Sequence, residues 1–421
     1  MRASRFLRSL ALLAVAAGAA RAQDDASLIA KARAIHAKAI KIDTHVDFEP
    51  ADMTGPAPNY ATGMPRKQVD LPKMENNGLD AVFFSIYVGQ RPDFSDSAYA
   101  RAYATDVAKF EAVHALAEKV APDRIGIAYT AADVRRIHGA GKRVALMGVE
   151  NGYGIGEDIT RVKTFYDYGA RYLSMAHNGH SQLSDSNTGE ADGVWKWNGL
   201  SPLGKQVVAE ANKYGIMIDI SHPSKASNMQ VFALSKAPVI ASHSGVRALC
   251  DHSRNLDDEQ LLALKKNGGV VQLVAFSGYV KKAPPESPER TAAVAALRQQ
   301  MGFGAGRRAP GAAAPSDSLM QLYRQKLAEI DAKYPPAPRA TVKDFVDHVD
   351  YAVKLIGIDH VGLSSDFDGG GGIEGYSNAS ESINVTTELV RRGYSEKDII
   401  ALWGGNVLRV MEQVEKVAAR R

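Results

Sequence analysis

Seven residues that could do chemistry each close a short apolar run of this chain. They are His45 and Asp47 in "KIDTHVDFEP", Glu150 in "RVALMGVEN", His177 in "ARYLSMAH", His222 in "GIMIDISH", His243 in "PVIASHS" and Asp366 in "HVGLSSDFDG". Imidazoles and carboxylates together suit Zn²⁺ or another first-row divalent ion. Carboxylates gathered behind apolar runs repel one another strongly unless a cation offsets them. His45 and Asp47 stand two apart, so on a strand they project from one face. Taken alone, that pair reads equally well as a surface ion pair. A single histidine at a strand end is more often a hydrogen-bonded structural residue than a ligand. The set gains meaning only if the fold brings its members to one place.

Eight segments have the character of buried strands: 39–47, 79–88, 143–151, 170–177, 215–222, 238–244, 269–276 and 360–369. They are short, rich in Val, Ile, Phe, Leu and Ala, and alternate with amphipathic stretches such as 97–120, 201–214 and 257–267. That alternation predicts an α/β fold with a parallel sheet, and eight strands fit a (β/α)₈ barrel of the TIM type. An open doubly wound sheet is the alternative. Residues 124–130 form a candidate extra strand. In a barrel the strand ends share one rim, and the seven residues converge there. The other histidines (His36, His114, His138, His348, His360) fall in helices, loops or strand starts and read as solvated or capping residues. His180 and His252, just past strand ends, fit either reading. HExxH, paired CxxC and GxSxG motifs are absent, which disfavours a serine or cysteine hydrolase.

The 421 residues, 45% hydrophobic, suffice for a large core. Residues 1–22 read as a cleavable export signal: Arg2, Arg5 and Arg8, an apolar run from Leu10 to Ala20, and a small-residue site at Ala20-Arg21-Ala22. Residues 23–421 then form a single barrel domain, periplasmic or secreted, with no membrane anchor. The signal holds four arginines and no acid, so the remainder balances 47 basic against 47 acidic residues. That balance gives no basis for nucleic-acid or anionic-membrane binding. Cys250 is the only cysteine, so no internal disulfide forms. Residues 282–340, rich in Pro, Ala and Gly around a charged helix at 317–333, read as an insertion between the seventh and eighth strands. Leaving from the active rim, it could cap the pocket. "DGGGGIEG" (368–375) lacks a following GK[ST] helix and is a weak phosphate cradle.

The motifs "DTHVD", "GVENG", "SMAHN", "DISH", "SHSG", "RNLDDEQL" and "HVGLSSDFDG", in this order, resemble those of the membrane (renal) dipeptidase family of zinc metallopeptidases, over roughly residues 36–412. The resemblance implies two zinc ions: His45 and Asp47 on one, His222 and His243 on the other, and Glu150 bridging both. It implies that His177 stabilises the oxyanion, that Arg254 holds the substrate carboxylate, and that Asp366 is the acid/base. From its sequence context alone, Arg254 reads as a surface ion pair with Asp257 or Asp258. The substrates would be small dipeptides, including those with a C-terminal D-residue, and family members often pair as homodimers. Rival readings are another metal-dependent amidohydrolase, acting on lactones, cyclic amides or β-lactams, and a non-catalytic exported binding protein. The mammalian members carry disulfides and a lipid anchor, for which this chain has neither the cysteines nor an apolar C-terminal tail.

Overall fold

The structure is a computed structural model that describes residues 25–90, 92–303 and 317–420; the expected export signal lies outside them. Its strands are β1 (Ile42–Val46), β2 (Ala81–Tyr87), β3 (Ile125–Ile127), β4 (Arg143–Glu150), β5 (Ala170–Ser174), β6 (Met217–Asp219), β7 (Ile240–Ser244), β8 (Val270–Val274) and β9 (Val361–Ser364). Eight of them run in parallel in the order β1-β2-β4-β5-β6-β7-β8-β9. A parallel bridge between Val46 and Phe367, with the Asp47 amide donating to the Phe367 carbonyl at 2.9 Å, joins the two ends into a nearly closed (β/α)₈ barrel. β3 stands outside this ring. It pairs with the first residues of β4, alongside which β5 has not yet begun.

Alternation along the strands sorts their residues. Ile42, Ala81, Phe83, Leu146, Tyr172, Met217, Ile240 and Val270 pack together inside the barrel, and the C-terminal helix Asn406–Ala419 closes its floor with Val407, Leu408 and Met411. Val82, Phe84, Ala145, Met147, Leu173, Ile218, Val271 and Leu273 face outward into the larger core beneath the helices. Caps set the helix starts, as where Ser95 accepts from the Ala98 amide before Asp96–Ala115 and Ser201 from the Gly204 amide before Pro202–Tyr214.

Two seams of the ring are thin. β6 and β7 share one ladder position, Asp219 with Ile240, and β1 meets β9 through the bridge just described. A buried aspartate stitches each. Asp219 accepts from the Ser242 amide at 2.8 Å and the Ser242 hydroxyl at 2.6 Å. Asp43 accepts from the Ser364 hydroxyl at 3.0 Å and the Ser365 amide at 3.1 Å. Side-chain bonds replace the backbone pairs that these seams lack.

Three expected strands run too long. The segments 170–177, 215–222 and 360–369 are extended only over 170–174, 217–219 and 361–364. His177, His222 and Asp366 therefore sit on rim loops past the strand ends. Local turns stop the strands: His177 bridges to Gly179, and Asp366 takes a positive φ of 57°. Residues 282–340 do lie between β8 and β9. They contain the helices Pro288–Gln300 and Asp317–Lys333, held to each other by Arg290 and Asp331 at 2.7 Å.

Gly148 is fixed by packing, because a Cβ on it would overlap the Tyr172 ring that fills the barrel beside it. Gly148→Ala is expected to destabilise the protein by ~1–3 kcal/mol, the usual cost of overpacking a tight core. Thermal or urea unfolding of the variant against wild type measures this; an unchanged midpoint would mean that Tyr172 can move aside freely.

Candidate metal centre

The centre is built on Glu150, the last residue of β4. It follows Val144 and Leu146 by even steps, so plain alternation turns it inward. The residue is 3% exposed. Oε2 lies 3.3 Å from His45 Nε2 and accepts from the Ser85 hydroxyl at 3.1 Å. Oε1 lies 2.9 Å from His222 Nε2, 3.5 Å from His243 Nε2 and 3.7 Å from His177 Nε2. Burial opposes the charge on Glu150, but the surrounding imidazoles outweigh it and hold its carboxyl well below the usual range.

His45 and His243 need help to point inward. Each lies three residues beyond an inward residue, Ile42 and Ile240, so strict alternation would turn both toward the helices. The ladder shifts register between Asp43 and Val46 in β1, and between Ala241 and Ser244 in β7. These bulges re-aim both imidazoles into the barrel, where their rings stack at 3.8 Å. His45 Nε2 also lies 3.6 Å from Asp47 Oδ2. Asp366 joins His45 and Asp47 in a compact group of potential ligands. Gly369 makes room for that group, since a Cβ there would strike both the Asp47 and Asp366 carboxylates.

A further shell orients the rings. His45 Nδ1 pairs with the Tyr172 hydroxyl at 2.9 Å, which leaves Nε2 for the centre. His243 Nδ1 pairs with the Ser242 hydroxyl at 2.8 Å, which in turn donates to Asp219. Asp43 accepts from the His45 amide at 3.2 Å. Such outer contacts fix tautomer and direction in metal-ligating histidines. Tyr172, Ser242, Asp43 and Asp219 were not singled out from the sequence. The usable signal lay in "DTH" and "DISH", where an acid precedes each histidine by two or three residues inside an apolar run.

Burial pulls His222 and His243 well below the ordinary histidine range, reinforced for His222 by Arg254 and for His243 by His45. Burial lowers His177 too, Glu150 opposing and Arg254 reinforcing. Neutral rings keep a lone pair for a cation. His45 differs, for although burial lowers it, Tyr172, Glu150 and Asp47 together push it well above the ordinary histidine range. Asp366 is pushed well above the usual carboxylate range by burial, with Asp47 and Glu150 adding to the effect against His45.

Arg254 is 2% exposed. Its Nη1 donates to the Ser221 carbonyl, and its Nη2 to the His243 carbonyl at 3.0 Å. Asp257 instead pairs with Lys225 at 2.6 Å, and Asp258 accepts from the Tyr351 hydroxyl. The surface-pair reading of Arg254 is thereby replaced by a buried guanidinium on the site wall. A cavity of about 340 Å³ opens over these groups, lined also by Tyr87, Lys109, Phe276 and Tyr279. None of the described residues of 282–340 lines it, so the expected cap is not seen in this part of the insertion. Two histidines read as solvated are buried structural residues. His36 pairs with Thr386 at 2.7 Å, and His348 joins the Val246 amide to the Val280 carbonyl. His180 binds the Val194 carbonyl at 2.9 Å, and His252 stacks against Tyr279.

A parallel barrel with imidazoles and carboxylates gathered at its C-terminal rim is the architecture of metal-dependent hydrolases. The family model described as membrane dipeptidase (peptidase family M19) matches residues 29–421. The chain belongs to that family, and it is a metallo-dipeptidase. Dipeptidase aclJ of Aspergillus oryzae is 32% identical over 356 residues, spanning 83% of this chain and 71% of that protein. The crystal structure of the probable dipeptidase PvdM from Pseudomonas aeruginosa superposes with a TM-score of 0.75 at 32% identity, covering 93% of this chain and 99% of that one. A metallopeptidase from Rhodobacter sphaeroides, solved with a phosphinate mimic of the dipeptide L-Ala-D-Ala, shares the fold at a TM-score of 0.68 and 23% identity, over 89% of this chain and 99% of that one.

The outer shell yields a prediction. Asp219→Asn should weaken metal binding about 10- to 100-fold, as loss of outer-shell partners commonly does. Competition with a chromogenic chelator reads the affinity; an unchanged affinity would assign Asp219 to the β6–β7 seam alone.

Proposed function

We propose that this dipeptidase works with two zinc ions, is exported by residues 1–22 to the periplasm or medium, and cleaves small dipeptides, including those with a C-terminal D-residue. One observation carries the metal count. The two oxygens of Glu150 face different partners, Oε2 toward His45 and Oε1 toward His222 and His243. A carboxylate so divided suits a bridging ligand. His45 and Asp47 would hold one ion, and His222 and His243 the other. The donors fit a cation: His45 Nε2 is buried without a hydrogen-bond partner, and the Nε2 atoms of His222 and His243 converge to 3.0 Å. For export, the support is the basic and apolar pattern of residues 1–22; no described helix is long and apolar enough to cross a membrane. For D-residues, it is the L-Ala-D-Ala mimic bound by the Rhodobacter sphaeroides relative.

Held by His45, Asp47, Glu150, His222 and His243, the zinc ions would supply polarisation of the scissile carbonyl and acidification of the attacking water. The remaining work falls to the chain. Asp366, buried beside Asp47 at the cavity floor, takes the water's proton and returns it to the leaving amine. His177, on the opposite side of Glu150, donates to the carbonyl oxygen as negative charge develops there. Arg254 presents its guanidinium to the substrate's terminal carboxylate, a group that it matches in shape and charge. A cavity of about 340 Å³ sits at the small end for ligand sites and suits a dipeptide over a longer peptide.

Elemental analysis of the purified protein should find about two zinc ions per chain. Glu150→Gln should lose more metal than any other single ligand change; absence of stoichiometric metal, with no divalent ion able to support hydrolysis, would overturn the reading. Arg254→Ala should erode the preference for Ala-Ala over Ala-Ala-amide by about 30-fold or more, as removal of one member of a desolvated charge pair does. The kcat/KM ratio for acid and amide measures it, and a ratio untouched by the mutation would place the carboxylate grip elsewhere.

A further inference from the structure

Lys109 lines the same cavity and has no part in the mechanism above. It projects from the helix Asp96–Ala115 and is 4% exposed. Its ammonium donates to the Phe48 carbonyl at 2.6 Å and lies 4.5 Å from the centre of the Phe48 ring. An ammonium has three N–H donors, and that carbonyl occupies one. Among the described residues no carboxylate forms an ion pair with it. Burial pulls its pKa down, and Asp47, Glu49, Glu150 and Asp106 oppose that only from longer range. Lys67, at the same cavity, differs in being paired with Asp52 at 2.7 Å. Asp106, one turn earlier on the helix, favours the charged form of Lys109 from a distance but forms no ion pair with it. It is fully buried, neither of its oxygens has a hydrogen-bond partner, and burial pushes its carboxyl well above the usual range. A buried cation without a directly paired anion is unfavourable, so its retention at a ligand cavity calls for an anionic visitor.

The placement of Lys109 says which part of the substrate it would meet. Arg254 lies against the carbonyls of Ser221 and His243, beyond β6 and on β7. Lys109 lies across the centre, against Phe48 beyond β1, with Tyr87 of β2 also on the wall. A dipeptide with its terminal carboxylate on Arg254 and its peptide bond at Glu150 sends its N-terminal residue toward Phe48 and Lys109. We infer that Lys109 selects dipeptides whose N-terminal residue carries an acidic side chain, the aspartyl and glutamyl class. The inference rests on the proposed orientation set by Arg254. Glu49, exposed at the cavity mouth, leaves a carboxylate for the free amine of the same residue.

Glu-Ala and Gln-Ala differ only in that charge, so their kcat/KM ratio isolates it. In wild type the ratio should favour Glu-Ala by on the order of 10- to 100-fold, the span of a charge-assisted hydrogen bond. Lys109→Met should bring the ratio close to unity, and Lys109→Arg should keep most of it. Zinc content is measured on each variant, so that a disturbed centre is recognised. If Lys109→Met does not fold, Lys109→Gln carries the same comparison. Equal rates on Glu-Ala and Gln-Ala in wild type would overturn the inference, as would a variant that loses both substrates equally along with its zinc, which makes Lys109 a prop for the Asp47–Phe48 segment. Neither result touches the dipeptidase reading, which fails only if Ala-Ala itself is not hydrolysed.

Discussion

Everything at the rim of this barrel depends on a buried anion, the Glu150 carboxylate, with four imidazoles within 3.7 Å of its oxygens. A carboxylate in such surroundings would be neutralised by protonation were it alone. Here the rings favour its charged form against burial, and it gives them a common point to face. The burial that penalises its charge also keeps His222 and His243 neutral. A site of this composition is poised for a divalent cation, which relieves the carboxylates in place of the proton that Glu150 and Asp47 help to draw onto His45.

The strands that deliver these groups are held by the same chemistry. Asp43 ties β1 to the loop after β9 while accepting from the His45 amide. Asp219 ties β6 to β7 while holding the serine that orients His243. Both carboxyls are raised by burial and lowered by these hydrogen bonds. Closure of the ring and aim of the proposed ligands are therefore not separable properties. The two sparsest backbone seams are also the two that carry proposed ligand histidines on or next to them.

Much of this was legible in the sequence. Apolar runs interrupted by helical stretches marked all eight barrel strands, and the rim argument drew residues from six of them. The structure places Asp47, Glu150, His177, His222, His243 and Asp366 on one cavity, with His45 against Glu150 and Asp47. The strand ends were less readable. "YLSMAH" and "IMIDISH" continue in apolar residues after the backbone has turned, because those residues pack beneath the rim loops instead of in the sheet. The supporting shell was hidden for a different reason. Tyr172 looks like an ordinary core aromatic until Gly148 is seen to make room for it. Lys109 and Arg254 sit in or beside helical patterns where a charged residue reads as solvated, and only the packing shows them turned inward.

The bulges in β1 and β7 place part of the site's specification in the backbone. His45 and His243 face the centre because one ladder step is irregular in each strand, not because their positions in an ideal strand are inward. Copying the five proposed ligands onto an idealised eight-stranded barrel at matching positions would send two of the three histidines among them into the helical layer. A designer wishing to transplant this centre would have to transplant the irregularities too, with the aspartates that pin them. By the same logic, a single-residue deletion within either bulge should be harder for the enzyme to tolerate than many substitutions of its neighbours.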